Sequence, residues 1–292
     1  MSKITLDLIQ KLRERTGVGM MDCRKALDEA GGDVEEAVTI LRKKGLSVAA
    51  KRAENPTENG IVDGCLKDDF VSLVEISCET DFSARTDAMK NFAKTIANVA
   101  ASEIDSSSTE KLFDVIAPGS NLTVKLLLDE LISKICESIK IAKTKTFKLE
   151  KNSVAGMYIH PDNSVAAIVE LVADKDLSES EKQELAPLCK EICMQIAVNN
   201  PLAINSSEVD QNLVQKEIDT CKAQLSQTKK PESMWDMIVE GKLKKYYEDV
   251  CLLNQKFIKD DSVTVAQKID AAAKKLGVNL TLKRFARIGI NR

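Results

Sequence analysis

The chain has 292 residues, 43% of them apolar, 30% charged and 4% aromatic, with 42 Lys+Arg against 45 Asp+Glu. That length accommodates two or three domains with cores of Leu, Ile, Val and Ala. The absence of an 18-residue apolar run, of a signal-like leader and of any histidine besides His160 argues against a membrane span, secretion, a multi-histidine metal site and a Ser-His-Asp triad, and the slightly acidic balance disfavours nucleic-acid binding.

Residues 5–44 carry three short apolar stripes. Leu8, Ile9 and Leu12 mark the first, and Cys23, Ala26, Leu27 and Ala30 fall at i, i+3, i+4, i+7 in the second. Val34, Ala37, Val38 and Leu41 repeat the spacing in the third. Thr16-Gly17-Val18-Gly19 and Gly31-Gly32 separate them, Asp33 with Glu36 resembles a capping box, and Gly45 suits a helix stop. Residues 1–45 are therefore expected to form a small three-helix domain with spare apolar surface for docking. Met20-Met21 at the first junction either fills the core or meets a partner; two adjacent side chains on a tight loop hardly both face inward. Residues 46–59 lose periodicity and contain Pro56, which predicts a linker or a helical tail running into one.

An internal repeat follows. Val74-Glu75-Ile76 and Asp81-Phe82 recur 95 residues later as Val169-Glu170-Leu171 and Asp176-Leu177. Each copy predicts a strand, a turn (Lys67-Asp68-Asp69; Pro161-Asp162-Asn163), a second strand and a helix. The first helix spans about Asp87–Ala101. The second reaches about Asn199, with Pro187 expected to start or kink it. Between the copies, residues 106–109 form a loop, Val124, Leu127, Leu128, Leu131 and Ile135 form a helical stripe, and Lys140–Leu149 alternates as a strand completing the first sheet.

Within 208–250, apolar stripes on either side of Lys229-Lys230-Pro231 predict a helical hairpin, which either contacts another chain or packs on the body. The last segment predicts a helix from an N-cap at Ser262 to Leu276, then a strand through Leu280, Leu282, Phe285 and Ile288 joining the second sheet. The expected fold class is α+β, divided into 1–45, a linker 46–59, a core part 60–150, a second core part 151–207 with 251–292, and the hairpin 208–250.

Catalytic signatures are missing. There is no phosphate-binding Gly-rich loop with Lys-Ser/Thr and no dinucleotide fingerprint after a strand. Acid pairs such as Asp260-Asp261 lie in turns. The eight cysteines form no Cys-x-x-Cys pair and fit a cytoplasmic chain with free thiols; Cys189 and Cys193 share a helix face without other metal ligands nearby. His160 sits in a turn, where surface contact is its better role. The segment Glu79-Thr80-Asp81-Phe82-Ser83-Ala84-Arg85 stands out because it places a Phe on a polar strand-to-helix loop. Phe82 there is either a plug for the core or a wedge for a partner, and Asp81 suits a cap or an acceptor.

The stretches Leu12-Arg13-Glu14-Arg15-Thr16-Gly17-Val18-Gly19-Met20-Met21-Asp22-Cys23-Arg24-Lys25-Ala26-Leu27, Glu75-Ile76-Ser77-Cys78-Glu79-Thr80-Asp81-Phe82-Ser83-Ala84-Arg85 and Ile238-Val239-Glu240-Gly241-Lys242-Leu243-Lys244-Lys245 resemble, in order, three signatures of the bacterial elongation factor Ts family. That resemblance implies a ubiquitin-associated-like N-terminal bundle, two related core subdomains and a helical hairpin that supports dimerisation in some members. It implies a guanine-nucleotide exchange factor for elongation factor Tu, with no enzymatic activity and no cofactor. By resemblance, Thr80, Asp81, Phe82 and Ser83 dislocate the partner's Mg²⁺, while Arg13, Met20, Met21, Arg24, His160 and Ile258 bind the partner. The chain departs from the family's pattern at Ser77, Ser83 and Lys259, and the sequence stops soon after the last expected strand, where longer members carry an extra C-terminal helical module. The rival from another class is a passive adaptor that tethers partners without remodelling a nucleotide site.

Overall fold

The computed structural model describes residues 4–67, 69–102, 109–228 and 231–290; the expected turn residue Asp68, residues 106–108 of the expected loop, the Lys229-Lys230 pair and Arg292 lie outside the described residues. The fold is mixed α+β. The chain divides into two compact units: Met1–Lys148 with Ile159–Val165 and Ile288–Arg292, and Leu149–Tyr158 with Ala166–Arg287.

The first unit starts with α1 (Leu6–Thr16), α2 (Met20–Glu29) and α3 (Val34–Arg52). Their stripes meet in a core of Ile9, Leu12, Val18, Cys23, Ala26, Leu27, Ala37 and Leu41. Thr5 caps α1 through the N–H of Leu8, and Asp33 caps α3 through the N–H groups of Glu35 and Glu36. Gly17 ends α1 at φ +69°, a left-handed stop that glycine adopts without strain.

One expectation fails at Gly45, which lies inside α3 and does not stop it. The helix runs on to Arg52, so residues 46–52 form the helical tail that is one of the two alternatives for this stretch. Gly45 serves close packing instead of termination. A Cβ there would stand 2.2 Å from Ser133 Oγ and 3.3 Å from the Ser133 Cα, so only glycine lets α3 approach the helix opposite.

That helix belongs to the first sheet layer, which comprises β1 (Asn59–Lys67), β2 (Phe70–Cys78), α4 (Asp81–Ala84), α5 (Asp87–Ala100), α6 (Thr109–Leu112), α7 (Val124–Ile135) and β3 (Ile139–Lys148). The strands pair antiparallel in the order β1-β2-β3, with Ile61 opposite Ile76 and Glu75 opposite Lys143. Every residue of β2 from Val71 to Cys78 is buried; successive side chains alternate faces, so both faces are covered. The core joins Ile61, Val74 and Ile76 to Met89, Phe92 and Ile96 of α5 and to Leu128, Leu131 and Ile132 of α7. α3 rests on α7 through an Arg42–Glu130 ion pair of 2.7 Å and a Ser133 hydroxyl donating to Leu41 O at 3.3 Å.

The second sheet has the order β4 (Ser153–Ile159), β5 (Val165–Ala173) and β8 (Leu280–Gly289), so the final segment joins it as expected. α8 (Glu179–Asn199) begins at Ser178, whose side chain and Glu181 form a reciprocal capping box. Pro187 therefore does not start the helix. It lies inside α8 on an exposed face, where water can satisfy the carbonyl left without a donor.

α9 (Gln211–Ser226) and α10 (Trp235–Val250) form the expected hairpin, closed by Cys221, Leu225 and Val239 and, at its base, by Val214, Ala203 and Cys251. After β6 (Lys256–Phe257) and β7 (Asp260–Thr264) comes α11 (Val265–Leu276). Its cap is Thr264, not Ser262. Thr264 and Gln267 exchange side-chain-to-backbone bonds of 3.2 and 2.8 Å, whereas the Ser262 hydroxyl turns back to Asp260.

The repeat extends to ionic detail. Glu75 and Glu170, 95 positions apart, are both buried in the middle strand of a three-stranded sheet. Each meets a cation from the third strand: Lys143 at 2.9 Å and Arg284 at 2.6 Å, respectively. A buried carboxylate needs such a partner to stay charged.

Candidate partner-binding site

The segment after β2 makes one turn of helix, α4, capped by Thr80, whose hydroxyl accepts the Ser83 N–H at 3.3 Å. Ser83 and Ala84 face inward and are buried. Phe82 points the other way and is 83% exposed. The core-plug reading is thereby overturned. At the equivalent position of the second copy, Leu177 is only 9% exposed and does plug its core. Asp81 is exposed and pairs with Arg85 at 3.2 Å across one turn, so it faces the surface beside Phe82.

The turn is anchored from several directions. Glu137 accepts the Thr80 N–H at 3.1 Å and the Thr80 hydroxyl at 2.7 Å. Glu79 accepts from Arg52 at 3.1 Å, from Asn55 at 3.1 Å and from the Ser138 N–H at 2.5 Å. The Asn59 amide donates to the Glu79 carbonyl at 2.9 Å. The donation from Ser138 holds the Glu79 carboxyl below the usual glutamate range, with Arg52 and Asn55 acting in the same direction and burial opposing them. Cys78, just before the turn, is pushed up to about 11 by burial, with the negative charge of Glu137 adding to it.

A surface cavity of about 490 Å³ adjoins the turn, lined by Asp81, Arg85, Lys90, Asn59, Asp162 and Asn163 among others. Asn163, at φ +57°, sits at the tip of the β4–β5 hairpin and exchanges bonds with Val62: its carbonyl accepts the Val62 N–H at 2.8 Å, and its amide donates to Val62 O at 3.1 Å. His160 is exposed in the same tip, with Nδ1 2.6 Å from Asp162 Oδ1. Bonds from Ser164, then from His160, hold the Asp162 carboxyl down to about 2.

The remaining residues of interest are exposed. Met20 (41%) and Met21 (64%) occupy the first turn of α2, so neither fills the core. Arg13 on α1 and Arg24 on α2 are exposed as well. Ile258 (43%) belongs to the second unit, in the turn between β6 and β7. Its N–H donates at 2.7 Å to the buried Gln195, whose amide reaches Gln255 and the Lys256 carbonyl at 3.0 Å each. Lys259 beside it pairs with Glu191 at 2.9 Å. Glu79 heads the segment that the sequence singled out, but its role as an anchor and its partners Arg52, Asn55, Glu137 and Ser138 escaped sequence reasoning, because no local motif signals contact across such separations.

Among the described residues no group of three His, Cys, Asp or Glu side chains is placed to hold a metal ion, and no helix is long and apolar enough to cross a membrane. Cys189 is pushed up to about 12 by burial and Cys193 well above its ordinary value, which leaves both as inert core thiols.

Comparison with known proteins decides the family. A family model described as Elongation factor TS matches residues 79–292. The elongation factor Ts of Clostridium perfringens is 38% identical over 286 residues, covering 97% of this chain and 92% of that protein. That of Lawsonia intracellularis is 38% identical over 292 residues, covering 98% of each. That of Trichlorobacter lovleyi is 37% identical over 97% of this chain and 91% of its own length. The chain belongs to the elongation factor Ts family. Elongation factor Ts is the nucleotide exchange factor for elongation factor Tu, a translation factor that works by binding and is not an enzyme. The motifs that carried the resemblance map onto this chain as exposed Met20 and Met21 on α2 and as the anchored turn around Phe82.

Proposed function

We propose that this chain releases GDP from elongation factor Tu by inserting Phe82, with Asp81 beside it, into the GTPase domain of that partner. The observation that carries the reading is the 83% exposure of a phenylalanine on a turn fixed by side chains from elsewhere in the fold. An isolated exposed Phe has no folding purpose, and a fixed one suits insertion. Nucleotide affinity in a GTPase depends on a phosphate cradle and a Mg²⁺ that bridges phosphate oxygens. A protein that binds the distorted cradle better weakens GDP by the factor with which GDP weakens it. Thr80 and Ser83 support the wedge from below, while Asp81 adds a negative charge next to it.

Arg13, Met20, Met21 and Arg24 form the docking patch of the N-terminal bundle in this reading, which extends that bundle to the end of α3 and gives it the ubiquitin-associated type. His160 and Ile258 supply further contacts. The matching Glu75 and Glu170 support two related core subdomains, with the α9–α10 hairpin inserted in the second. Exposed Met234 and Met237 near the start of α10 support a homodimer through that hairpin, which light scattering would register. The exchange activity is tested by stopped-flow release of fluorescent GDP from elongation factor Tu with and without the full chain. Acceleration that saturates with factor concentration supports the reading; binding without acceleration makes the chain a passive adaptor.

A further inference from the structure

Two peptide segments hold the Phe82 turn by gripping each other. The Glu79 carboxylate takes the backbone N–H of Ser138, and the Glu137 carboxylate takes the backbone N–H and the hydroxyl of Thr80. Each of two neighbouring residue pairs, 79–80 and 137–138, thus supplies a charged acceptor to the other's main chain. Arg52 closes the grip from the last turn of α3, with Nη1 at 3.1 Å from both carboxylate oxygens of Glu79. Bonds to an ionised acceptor are about twice as strong as neutral ones. A helix of one turn has no stability of its own in water. The direction in which α4 aims Phe82 therefore rests on the burial of Ser83 and Ala84 beneath it and on the hold of Glu79 and Glu137.

The same grip reaches the N-terminal bundle. α3 contributes Ala37 and Leu41 to the bundle core and ends at Arg52. α7, which α3 contacts through Arg42–Glu130, stops at Cys136, immediately before Glu137. α2, with exposed Met20 and Met21, packs into that bundle core through Cys23, Ala26 and Leu27. A continuous path of contacts thus joins the docking face to the wedge.

We propose that Glu137 and Glu79 are positioning residues for nucleotide exchange, which hold the Thr80–Ser83 turn so that Phe82 is pre-aimed at the partner, with Arg52 tying that aim to the docked bundle. The inference rests on the wedge reading of Phe82. A pre-aimed turn spends none of the binding free energy on ordering itself, so its loss acts on the displaced-nucleotide state more than on docking. The test is fluorescent GDP release from elongation factor Tu over a series of factor concentrations, which separates the maximal rate from the half-saturating concentration. Glu137→Ala is expected to lower the maximal rate about five- to tenfold, the scale of losing charge-assisted bonds at a partly exposed site. Its half-saturating concentration should stay within about twofold of the parent's. Glu137→Gln keeps a neutral oxygen that accepts the Thr80 N–H, so it should restore the maximal rate to within about threefold of the parent's. Arg52→Ala, acting from the Glu79 side, should lower the maximal rate in the same direction.

A variant that had merely lost fold would raise the half-saturating concentration and leave the maximal rate unchanged, and that pattern overturns the proposal. So does a Glu137→Ala maximal rate equal to the parent's when Phe82→Ala, measured in parallel, is slow; in that case the wedge stands without the grip. If Phe82→Ala itself releases GDP at the parent rate, the wedge reading fails and this inference falls with it.

Discussion

Phe82→Ala separates a side chain that serves the partner from one that serves the fold. The ring is 83% exposed, so its removal takes almost no packing out of the free protein. Substitutions at such positions change stability by about 0.5 kcal/mol or less, which for a chain of this size moves Tm by about 1–2 °C. Insertion into the partner is another matter. Burying a whole Phe side chain is worth about 1.5–3 kcal/mol. Scaled by the exposed fraction, the loss on truncation is about 1–2.5 kcal/mol, or about 5- to 70-fold in the rate of GDP release. Leu177→Ala provides the contrast. That residue stands at the equivalent place in the repeat but is buried, and truncating a buried Leu costs about 2–5 kcal/mol. Thermal unfolding followed by circular dichroism, paired with stopped-flow release, reads both axes. A Phe82→Ala protein that melts as early as Leu177→Ala would show that the ring packs inward. One that melts normally and still exchanges at the parent rate would show that the ring does nothing for exchange.

Other substitutions and titrations test the packing. Gly45→Ala should lose about 1–2 kcal/mol in urea unfolding despite its gain in helix propensity, because the new methyl meets Ser133, whereas Gly241→Ala in α10 meets nothing within 4 Å and should gain up to about 1 kcal/mol; a stabilised Gly45→Ala refutes the close approach of α3 and α7. A thiol reagent at pH 8 should label exposed Cys136 first and half-buried Cys65 more slowly, leaving Cys78 and Cys189 (pushed up to about 11 and about 12) unmodified until the chain unfolds; early labelling of Cys189 contradicts the packing of α8 on β4. Because the Glu79 carboxyl is held below its ordinary value, its contribution to stability is complete above about pH 4.3 and disappears as pH falls through the lowered value. Glu79→Gln should therefore flatten the acid limb of a stability–pH curve and leave the neutral limb's slope unchanged; an unchanged acid limb excludes that ionised contact.

The elements that follow from local chemistry were recoverable without coordinates. The alternation along β3 and the stripes of α5, α7, α9 and α10 each state a periodicity that one buried face explains. The repeat identified two strand-strand-helix stretches, and the buried Glu75 and Glu170 show how deep the correspondence goes. What escaped was decided across the fold. Gly45 looks like a helix stop until Ser133 is found opposite it. Ser262 looks like a cap, yet Thr264 has Gln267 at the spacing a reciprocal cap needs. Phe82 and Leu177 occupy matched positions and have opposite fates. Both are large apolar side chains; Phe82 lies within the turn that Glu137 holds through Thr80, whereas Leu177 directly precedes the N-cap of α8. Met20 and Met21 carried a signal because two adjacent methionines cannot both enter so small a core, whereas Arg13 and Arg24 were marked by the family resemblance alone.

Contact between Phe82 and the GTPase is the claim on which the rest depends, and site-specific photo-cross-linking addresses it directly. With benzoylphenylalanine placed at position 82 of the full chain and the complex with GDP-bound elongation factor Tu irradiated, the adduct should map to the GTPase domain of the partner. A complex that forms normally but yields adducts only within this chain, or only on the partner's other domains, would contradict the wedge.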